Sequence, residues 1–346
     1  METKSTISNI QLRHTGRNES IDLVKLLAMW MILTAHFMGW GGAVNSLTPQ
    51  DLNYYWVMPV YFVSQAGNTL FFLISGYYLS TFKAEKAIFL ERKTAFYAVV
   101  ISFIVLLLRG VSGISLLKSF FPIAFDYYWF ISVYLILYLL WSILGRGCEA
   151  ASKTQYLIGL AALLFHNLFL VEPKYTLFEG LLAVLTGHYL RRFHPFQNKN
   201  KALLAALFVL SVLAYAAERF IVQRLGVEHT KIDEACRYVL IFAPAIFLFS
   251  FFEKLRFRKI HFSYFSRNVM AVYLVTAHPL LRNELYQNYL QIEVFCRKGW
   301  FLLYYVAVNA VILCACVMLD KVVSRFNQKE AAFWNGLLMK LKEAKQ

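Results

Sequence analysis

The chain is dominated by apolar runs that are long enough for a helix to cross most of a lipid bilayer. A helix needs about 20 apolar residues to span the hydrocarbon core, with about 17 as a usual lower limit. Ten apolar runs of 16 to 27 residues occur, at residues 21–41, 54–80, 94–110, 119–144, 155–171, 175–190, 202–219, 236–252, 266–281 and 300–319. They predict an all-α polytopic membrane protein with about ten transmembrane helices.

The composition is that of a membrane protein, with 59% hydrophobic and only 16% charged residues. A net charge of +15 raises the question of whether the protein binds nucleic acid. The basic residues, however, form short clusters between apolar runs, of which 191–201 and 254–262 are the strongest. This pattern indicates membrane topology and no nucleic-acid partner.

The same basic residues predict the orientation of the chain. An even number of spans places both ends on one side, and most of the 35 lysines and arginines fall on that side. Because positive residues favour the cytoplasmic face, both termini are expected to be cytoplasmic. The bilayer itself is the first expected partner.

One membrane domain is expected, since no linker or internal repeat divides the chain. It comprises a cytoplasmic segment at 1–20, a transmembrane domain at 21–319 and a cytoplasmic tail at 320–346. The first twenty residues lack the apolar core and cleavage site of a signal peptide, so the first span is expected to remain as an anchor. In the tail, residues 331–345 suit either an interfacial amphipathic helix or a solvated end.

The five cysteines form no Cys-x-x-Cys pair, and no metal site is expected from them. Cys236 and Cys296 both fall at the presumed outer face. Whether they form a disulfide is left open, because sequence does not give their separation.

The first apolar run carries the ionisable residues Asp22, Lys25 and His36. Such groups are unfavourable in lipid and usually serve a function. Lys25 and His36 are eleven residues apart, almost three turns, so they share one face about 16 Å apart along the axis. Met29 and Ile32 complete that face with Asp22. A cation at the inner surface and a deep imidazole suit an elongated anionic donor whose reactive end enters the membrane.

Structural alternatives stand beside this interpretation. Lys25 is able to extend to the cytoplasmic headgroups. His36 is able to form only an interhelical hydrogen bond.

Residues 17–37 read RNESIDLVKLLAMWMILTAHF, in which ten residues separate Lys25 from His36. This segment resembles the first helix of the acyltransferase 3 family, integral membrane enzymes that O-acylate bacterial polysaccharides and other surface or secreted molecules. The family carries a basic residue, often arginine, and then a histidine at these two places. Lysine keeps the charge but loses the bidentate fork of arginine.

Further segments resemble the family in order along the chain. They are GNTLFFLISGYYLS (67–80), YYWFISVYLILYLL (127–140), LLAVLTGHYLRRF (181–193) and NVMAVYLVTAHPLLR (268–282). The last departs from the family pattern, because Thr276 occupies a histidine place. His278 is rotated by about 200° from that place on a helix, although Pro279 distorts helical backbone. His278 is therefore left between a functional role and an interhelical hydrogen bond.

The resemblance implies transfer of an acyl group, commonly acetyl from acetyl-CoA, to a hydroxyl. His36 is then the general base, a role worth roughly 10²–10⁴-fold. Lys25 and Arg17 would contact anionic parts of CoA, and Asp22 would pair with one of them. The expected partners are acyl-CoA and a glycan or lipid-linked glycan, in a bacterial cell membrane. Acetyl-CoA is a substrate, and no tightly bound cofactor is expected.

Supporting residues are predicted more broadly. Ser75, Tyr77 and Tyr78 are available as donors to the oxyanion, with helix packing as the alternative for Ser75 and Gly76. The residues expected on the acceptor side lie near the outer ends of the spans: Arg109, Asp126, Tyr128, Trp129, His166, Glu179 and Arg282.

Two other functions remain open at this stage. A transporter or flippase of lipid-linked glycans would use the intramembrane charges to line a pathway. A catalytically silent sensor is favoured only by the Thr276 departure.

Overall fold

The structure, a computed structural model, describes residues 19–79, 81–110, 113–169, 177–226, 231–257 and 261–343. Every regular element in these residues is a helix. In chain order the elements are α1 (Glu19–Trp40), α2 (Ala43–Ser46), α3 (Tyr54–Ser64), α4 (Ala66–Tyr78), α5 (Ala84–Arg109), α6 (Gly113–Ser119), α7 (Trp129–Ala150), α8 (Lys153–Phe169), α9 (Leu177–Phe193), α10 (Lys201–Leu225), α11 (Lys231–Glu253), α12 (Ser263–Ser266), α13 (Met270–Thr276), a π-helix (Glu284–Tyr289), α14 (Ile292–Phe295) and α15 (Phe301–Glu343). Arg17 lies outside the described residues.

Five helical stretches of the described chain are long and apolar enough to cross a membrane. They are Glu19–Trp40, Tyr54–Tyr78, Trp129–Ala150, Lys201–Val222 and Phe301–Arg325. A shorter apolar helix covers Tyr238–Glu253. The chain is therefore a helical membrane protein.

The predicted run 266–281 does not form one continuous helix. Its helix, α13, has seven residues, which corresponds to about 10 Å and is too short to span a bilayer. The helix ends before Pro279, which lacks an N–H and disfavours helical backbone in the residue before it. Ala271, Val272 and Leu274 are fully buried. Protein, rather than lipid, surrounds this segment, and that is where broken backbone is tolerated in a membrane protein.

The last helix is longer than its apolar run at 300–319. α15 has 43 residues, about 64 Å at 1.5 Å per residue. The hydrocarbon core is about 30 Å thick. The backbone of the predicted tail at 320–346 therefore continues the last apolar helix as far as Glu343.

Glycines bring α4 and α9 into backbone contact. A Cβ on Gly76 would overlap the carbonyl oxygen of Val184, and a Cβ on Gly187 would overlap that of Leu73. Small residues permit such close approach between membrane helices. Gly76 thus has the packing role that was the alternative for the Ser75 and Gly76 pair.

A buried polar network joins α5, α15 and the segment before α13. Asp320 accepts hydrogen bonds from Lys93 Nζ at 2.6 Å, Tyr97 Oη at 2.9 Å and Asn268 Nδ2 at 2.7 Å. Lys93 and Asp320 are both buried. Because each polar atom has partners, this ion pair holds three separate parts of the chain together.

The first turn of α1 is tied to the chain between α11 and α13. Ser20 donates to the carbonyl of Leu255 at 2.7 Å, and Glu19 accepts from the backbone N–H of Ser263 at 3.0 Å.

All five cysteines are free, with Cys236 exposed and Cys296 buried. The disulfide between those two residues is therefore not formed.

Candidate active site

A cavity of about 590 Å³ runs along α1. Lys25, Met29 and Ile32 form its wall on that helix, and they belong to the face predicted from the sequence. The other lining residues are Phe71, Ile74, Ser75, Tyr78, Leu79, Thr81, Glu85, Lys86, Phe89, Leu90, Phe130, Ile131, Tyr134, Tyr138, Met270 and Tyr273. A mostly apolar cavity of this size is typical of a small-molecule site.

One end of the cavity is charged. Lys25 Nζ lies 3.5 Å from Asp22 Oδ1 and 5.4 Å from the ring centre of Tyr78. Asp22 also accepts a 2.6 Å hydrogen bond from Ser266 Oγ. The Lys25 side chain is 31% exposed, whereas that of Asp22 is 3% exposed. Lys25 therefore presents a positive charge at the cavity wall while its partner stays buried.

His36 lies one helical turn beyond Ile32 and does not itself line the cavity. Its ring centroid is 6.2 Å from that of Tyr273, which lines the cavity. Its ring also stacks on Trp40, with centroids 4.0 Å apart and planes at 20°. The cavity thus extends from the Lys25 end of α1 to the neighbourhood of the imidazole.

Thr276 contacts the imidazole from α13. Its Oγ1 lies 3.2 Å from His36 Nδ1. This contact joins residues 240 positions apart in the chain. Thr276 occupies the place at which the resemblance implied a histidine, so the departure from the family pattern lies directly beside His36. The contact with Thr276 is the one hydrogen bond of His36 within the described residues, so Nε2 has no partner there.

Tyr273 lines the cavity and has a hydroxyl group with one hydrogen bond to the part of the chain that the structure describes. Its Oη accepts a 3.3 Å hydrogen bond from the backbone N–H of Phe130, at the start of α7. Tyr128 Oη donates to the carbonyl of Leu274 at 2.8 Å. Together these bonds attach α13 to the start of α7. The proton of the Tyr273 hydroxyl has no acceptor among the described residues, so this group is able to donate to a ligand.

Ser75 and Tyr77 are oriented differently from each other. Ser75 lines the cavity, but its Oγ donates to the carbonyl of Phe71 at 2.8 Å. Tyr77 Oη donates to Glu253 Oε1 at 2.7 Å, and Tyr77 is not among the cavity residues. Their hydroxyl protons already have acceptors inside the protein. Tyr273 is a better-placed donor than either.

Of the residues predicted for the acceptor side, Arg282 approaches His36. Its guanidinium carbon lies 4.9 Å from the ring centre of Trp40, on which His36 stacks. Its Nε is buried without a hydrogen-bond partner. Asp126, Trp129 and Glu179 make no hydrogen bond or ring contact with His36 in the described part of the chain.

Three further residues predicted for the acceptor side, Arg109, His166 and Tyr128, make no hydrogen bond or ring contact with His36 within the residues that the structure describes. Arg109 pairs with Glu284 at 3.1 Å. The ring of His166 lies 4.5 Å from that of Phe178. Tyr128 is fully buried.

His278 is fully buried and both of its ring nitrogens have partners. Nδ1 accepts from the backbone N–H of Leu280 at 3.2 Å. Nε2 lies 3.2 Å from the carbonyl of Ala98 and 3.3 Å from Ser102 Oγ. Since Nδ1 is the acceptor, Nε2 carries the proton and donates to α5. This is the interhelical hydrogen bond that stood as the alternative to a functional role.

Comparison with known proteins decides the family. The model of the acyltransferase 3 family, described as an acyltransferase domain, matches residues 18–321. The chain belongs to the acyltransferase 3 family. The matched region of this family member contains the cavity, His36 and the whole of α13. No curated protein and no solved structure matches the chain. The family assignment and the apolar helices together make the protein a membrane acyltransferase.

Three residues around His36 were not predicted as site residues: Trp40, Tyr273 and Thr276. Trp40 is four positions after His36, a spacing at which two side chains on a helix meet. That spacing is a signal the sequence contains. Tyr273 lies in a segment already matched to the family, but only its place in the cavity wall distinguishes it from other membrane tyrosines.

No group of three or more potential metal ligands occurs in the described residues.

Proposed function

We propose that this membrane acyltransferase is an O-acetyltransferase, which transfers acetyl from acetyl-CoA to a hydroxyl group of a bacterial surface or capsular glycan. The observation that carries the proposal is the cavity, which runs from Lys25 to the neighbourhood of His36. Its charged end suits the phosphates of CoA. Its apolar length suits the narrow, uncharged arm that carries the thioester.

The proposed topology has about ten spans, with both termini cytoplasmic, in the bacterial cell membrane. The start of α1, with Lys25, then lies at the cytoplasmic surface, on the side from which the proposed donor enters. Lys25 and His36 are about 16 Å apart along the helix. A donor bound with its phosphates at Lys25 therefore carries its acyl group deep into the membrane. Arg17 belongs to the same proposal as a second phosphate contact.

The proposed chemistry assigns the base to His36. As the acceptor oxygen attacks the thioester carbon, His36 Nε2 takes the hydroxyl proton. The carbon–sulfur bond then breaks, and the imidazolium returns the proton to the departing thiolate, so that CoA leaves as a thiol. A positioned base contributes roughly 10²–10⁴-fold to such a step.

Tyr273 is the proposed donor to the oxyanion that forms during attack. Tyr273 lines the cavity, and its hydroxyl proton remains available because the oxygen accepts in the hydrogen bond with the Phe130 N–H. A fixed donor of this kind stabilises charge that develops only in the transition state.

The acceptor is proposed to approach from the side of His36 that faces away from the donor mouth. Arg282 and Trp40 are the residues nearest to that approach, and an aromatic face is suited to a sugar ring. Asp126, Trp129, Glu179 and the outer arginine Arg109 remain proposals for more distant acceptor contacts. The acceptor is a glycan, free or linked to lipid.

The experiment that tests the function measures transfer of radiolabelled acetyl from acetyl-CoA to a cell-glycan extract, using purified protein in detergent. His36→Ala is compared with His261→Ala, which removes a surface histidine whose side chain is 78% exposed. Label on glycan with the wild type and with His261→Ala, but not with folded His36→Ala, is the expected result. Equal labelling by all three would remove His36 from the mechanism. Absence of labelling by the wild type, with a positive control working, would favour transport of glycans instead.

A further inference from the structure

We infer that Thr276 is a positioning residue that selects the tautomer of His36, so that the proton lies on Nδ1 and the free lone pair on Nε2. The inference rests on the proposed role of His36 as the base. It concerns the residue at which this chain departs from the family pattern.

The inference follows from counting protons at the Thr276 hydroxyl. A hydroxyl group has one proton to donate and two lone pairs to accept with. Thr276 Oγ1 lies 2.7 Å from the carbonyl oxygen of Val272, one turn earlier on α13. A carbonyl oxygen only accepts, so the hydroxyl proton is used in this bond.

The contact with His36 must then run in the opposite direction. Thr276 Oγ1 lies 3.2 Å from His36 Nδ1. Because the Thr276 proton is already engaged, its oxygen accepts in this contact and Nδ1–H donates. A neutral imidazole has one N–H, so Nε2 is left with the lone pair. The hydrogen bond at Nδ1 is the one that His36 makes within the described residues, so Nε2 has no partner there, as a base requires.

The rest of the site keeps this arrangement in place. Thr276 is fully buried, and two hydrogen bonds attach its helix to the start of α7: Tyr128 Oη to the Leu274 carbonyl and Phe130 N–H to Tyr273 Oη. The ring of His36, the other member of the contact, is held by stacking on Trp40. Neither ring nor hydroxyl is free to reorient without breaking a contact. Because both groups are held in place, the hydrogen bond from His36 Nδ1–H to Thr276 Oγ1 favours the Nδ1–H tautomer of His36.

A histidine at position 276 would also be able to accept from His36. A threonine does so with a smaller side chain and with no charge of its own at any pH. The chain therefore retains an acceptor for His36 Nδ1 despite the change of residue type. The departure at Thr276 is compatible with catalysis, and the third interpretation, a silent sensor, loses the feature that favoured it.

The direct test is nitrogen NMR of the wild-type protein with ¹⁵N-labelled histidine rings, in detergent at a pH where His36 is neutral. His36→Gln identifies the His36 signals by their loss. Signals of the Nδ1–H tautomer are expected. Signals of the Nε2–H tautomer would overturn the inference. This measurement needs no Thr276 variant and no active enzyme.

Variants then test the role of Thr276 itself. Thr276→Val keeps the shape but loses the acceptor, and we expect a mixture of tautomers with kcat lowered about tenfold and KM for acetyl-CoA unchanged. Thr276→Ser keeps the hydroxyl and is expected to restore the tautomer and most of kcat. An unchanged tautomer in folded Thr276→Val would overturn the inference.

The two proposals fail in distinguishable ways. If the Nδ1–H tautomer is found and is lost in Thr276→Val, but no acyl transfer is detected, the positioning contact stands and the acetyltransferase proposal fails. If acyl transfer requires His36 but its tautomer does not depend on Thr276, the function stands and the positioning role fails.

Discussion

The rings of His36 and Trp40, which are one turn apart on α1, stack with their centroids 4.0 Å apart. The same helix therefore supplies both the proposed base and the surface against which it rests. The guanidinium of Arg282 lies over the Trp40 ring as well, 4.9 Å from its centre. Trp40 thus connects His36 to Arg282, which is a proposed acceptor contact.

Replacement of Trp40 tests this connection. Trp40→Leu is expected to lower kcat by roughly two- to twelvefold, which corresponds to the 0.5–1.5 kcal/mol typical of an aromatic pair. Trp40→Phe keeps a ring beside His36 and is expected to retain most of kcat. Steady-state kinetics with acetyl-CoA and a glycan acceptor measure the difference. Equal kcat values for the leucine and phenylalanine variants would show that stacking does not position the base.

Tyr273 is expected to contribute to the transition state rather than to binding. Tyr273→Phe removes only the hydroxyl, and we expect kcat to fall about 10²–10³-fold with little change in KM, as for loss of an oxyanion donor. Tyr128→Phe is the matched control, because it removes a hydroxyl that binds the same helix but does not line the cavity. A similar loss of kcat in both variants would indicate a structural effect on α13 instead.

Lys25 is expected to act on donor binding alone. Lys25→Ala should raise KM for acetyl-CoA about three- to tenfold, because it removes one partly solvated charge pair with phosphate, and leave kcat unchanged. The ratio of the two KM values should shrink as salt increases, since salt screens an exposed charge. Lys153→Ala, at the exposed start of α8, is the control. A fall in kcat with unchanged KM would contradict the proposed role.

The buried ion pair of Lys93 and Asp320 predicts an asymmetry in stability. Asp320→Asn leaves the Lys93 charge uncompensated and is expected to destabilise the fold by about 3–5 kcal/mol. Lys93→Met combined with Asp320→Asn removes both charges and should recover a large part of that loss. Thermal unfolding of the purified variants in detergent measures both. If the double variant were no more stable than the single one, the hydrogen bonds of Asp320 to Tyr97 and Asn268 would account for the effect.

Much of the helical architecture was predictable from the sequence because the lipid environment demands long apolar runs. The arrangement of α1 was predictable in more detail: a helix has a fixed rotation per residue, so Lys25, Met29 and Ile32 had to share a face. That face lines the cavity. The periodicity of a single helix was sufficient to predict that these three side chains lie on the same side of α1.

Contacts between distant segments were not predictable in the same way. Nothing in the sequence near His36 specifies that Thr276 contacts it, because that contact depends on how α13 packs against α1. Tyr77 and Ser75 are two positions apart in one matched segment, yet Tyr77 contacts Glu253 and Ser75 lines the cavity. The break before Pro279 had a visible cause, but the short length of α13 depends on its surroundings as well.

The backbone contact between α4 and α9 has a consequence for how a donor enters. No layer of side chains separates the two helices at Gly76 and Gly187. Because their backbones are in direct contact, the helices cannot slide past each other, and they move as one body. The cavity wall that contains Ser75 and Tyr78 is then the fixed wall. A donor that enters the cavity therefore meets a wall at Ser75 and Tyr78 that does not yield.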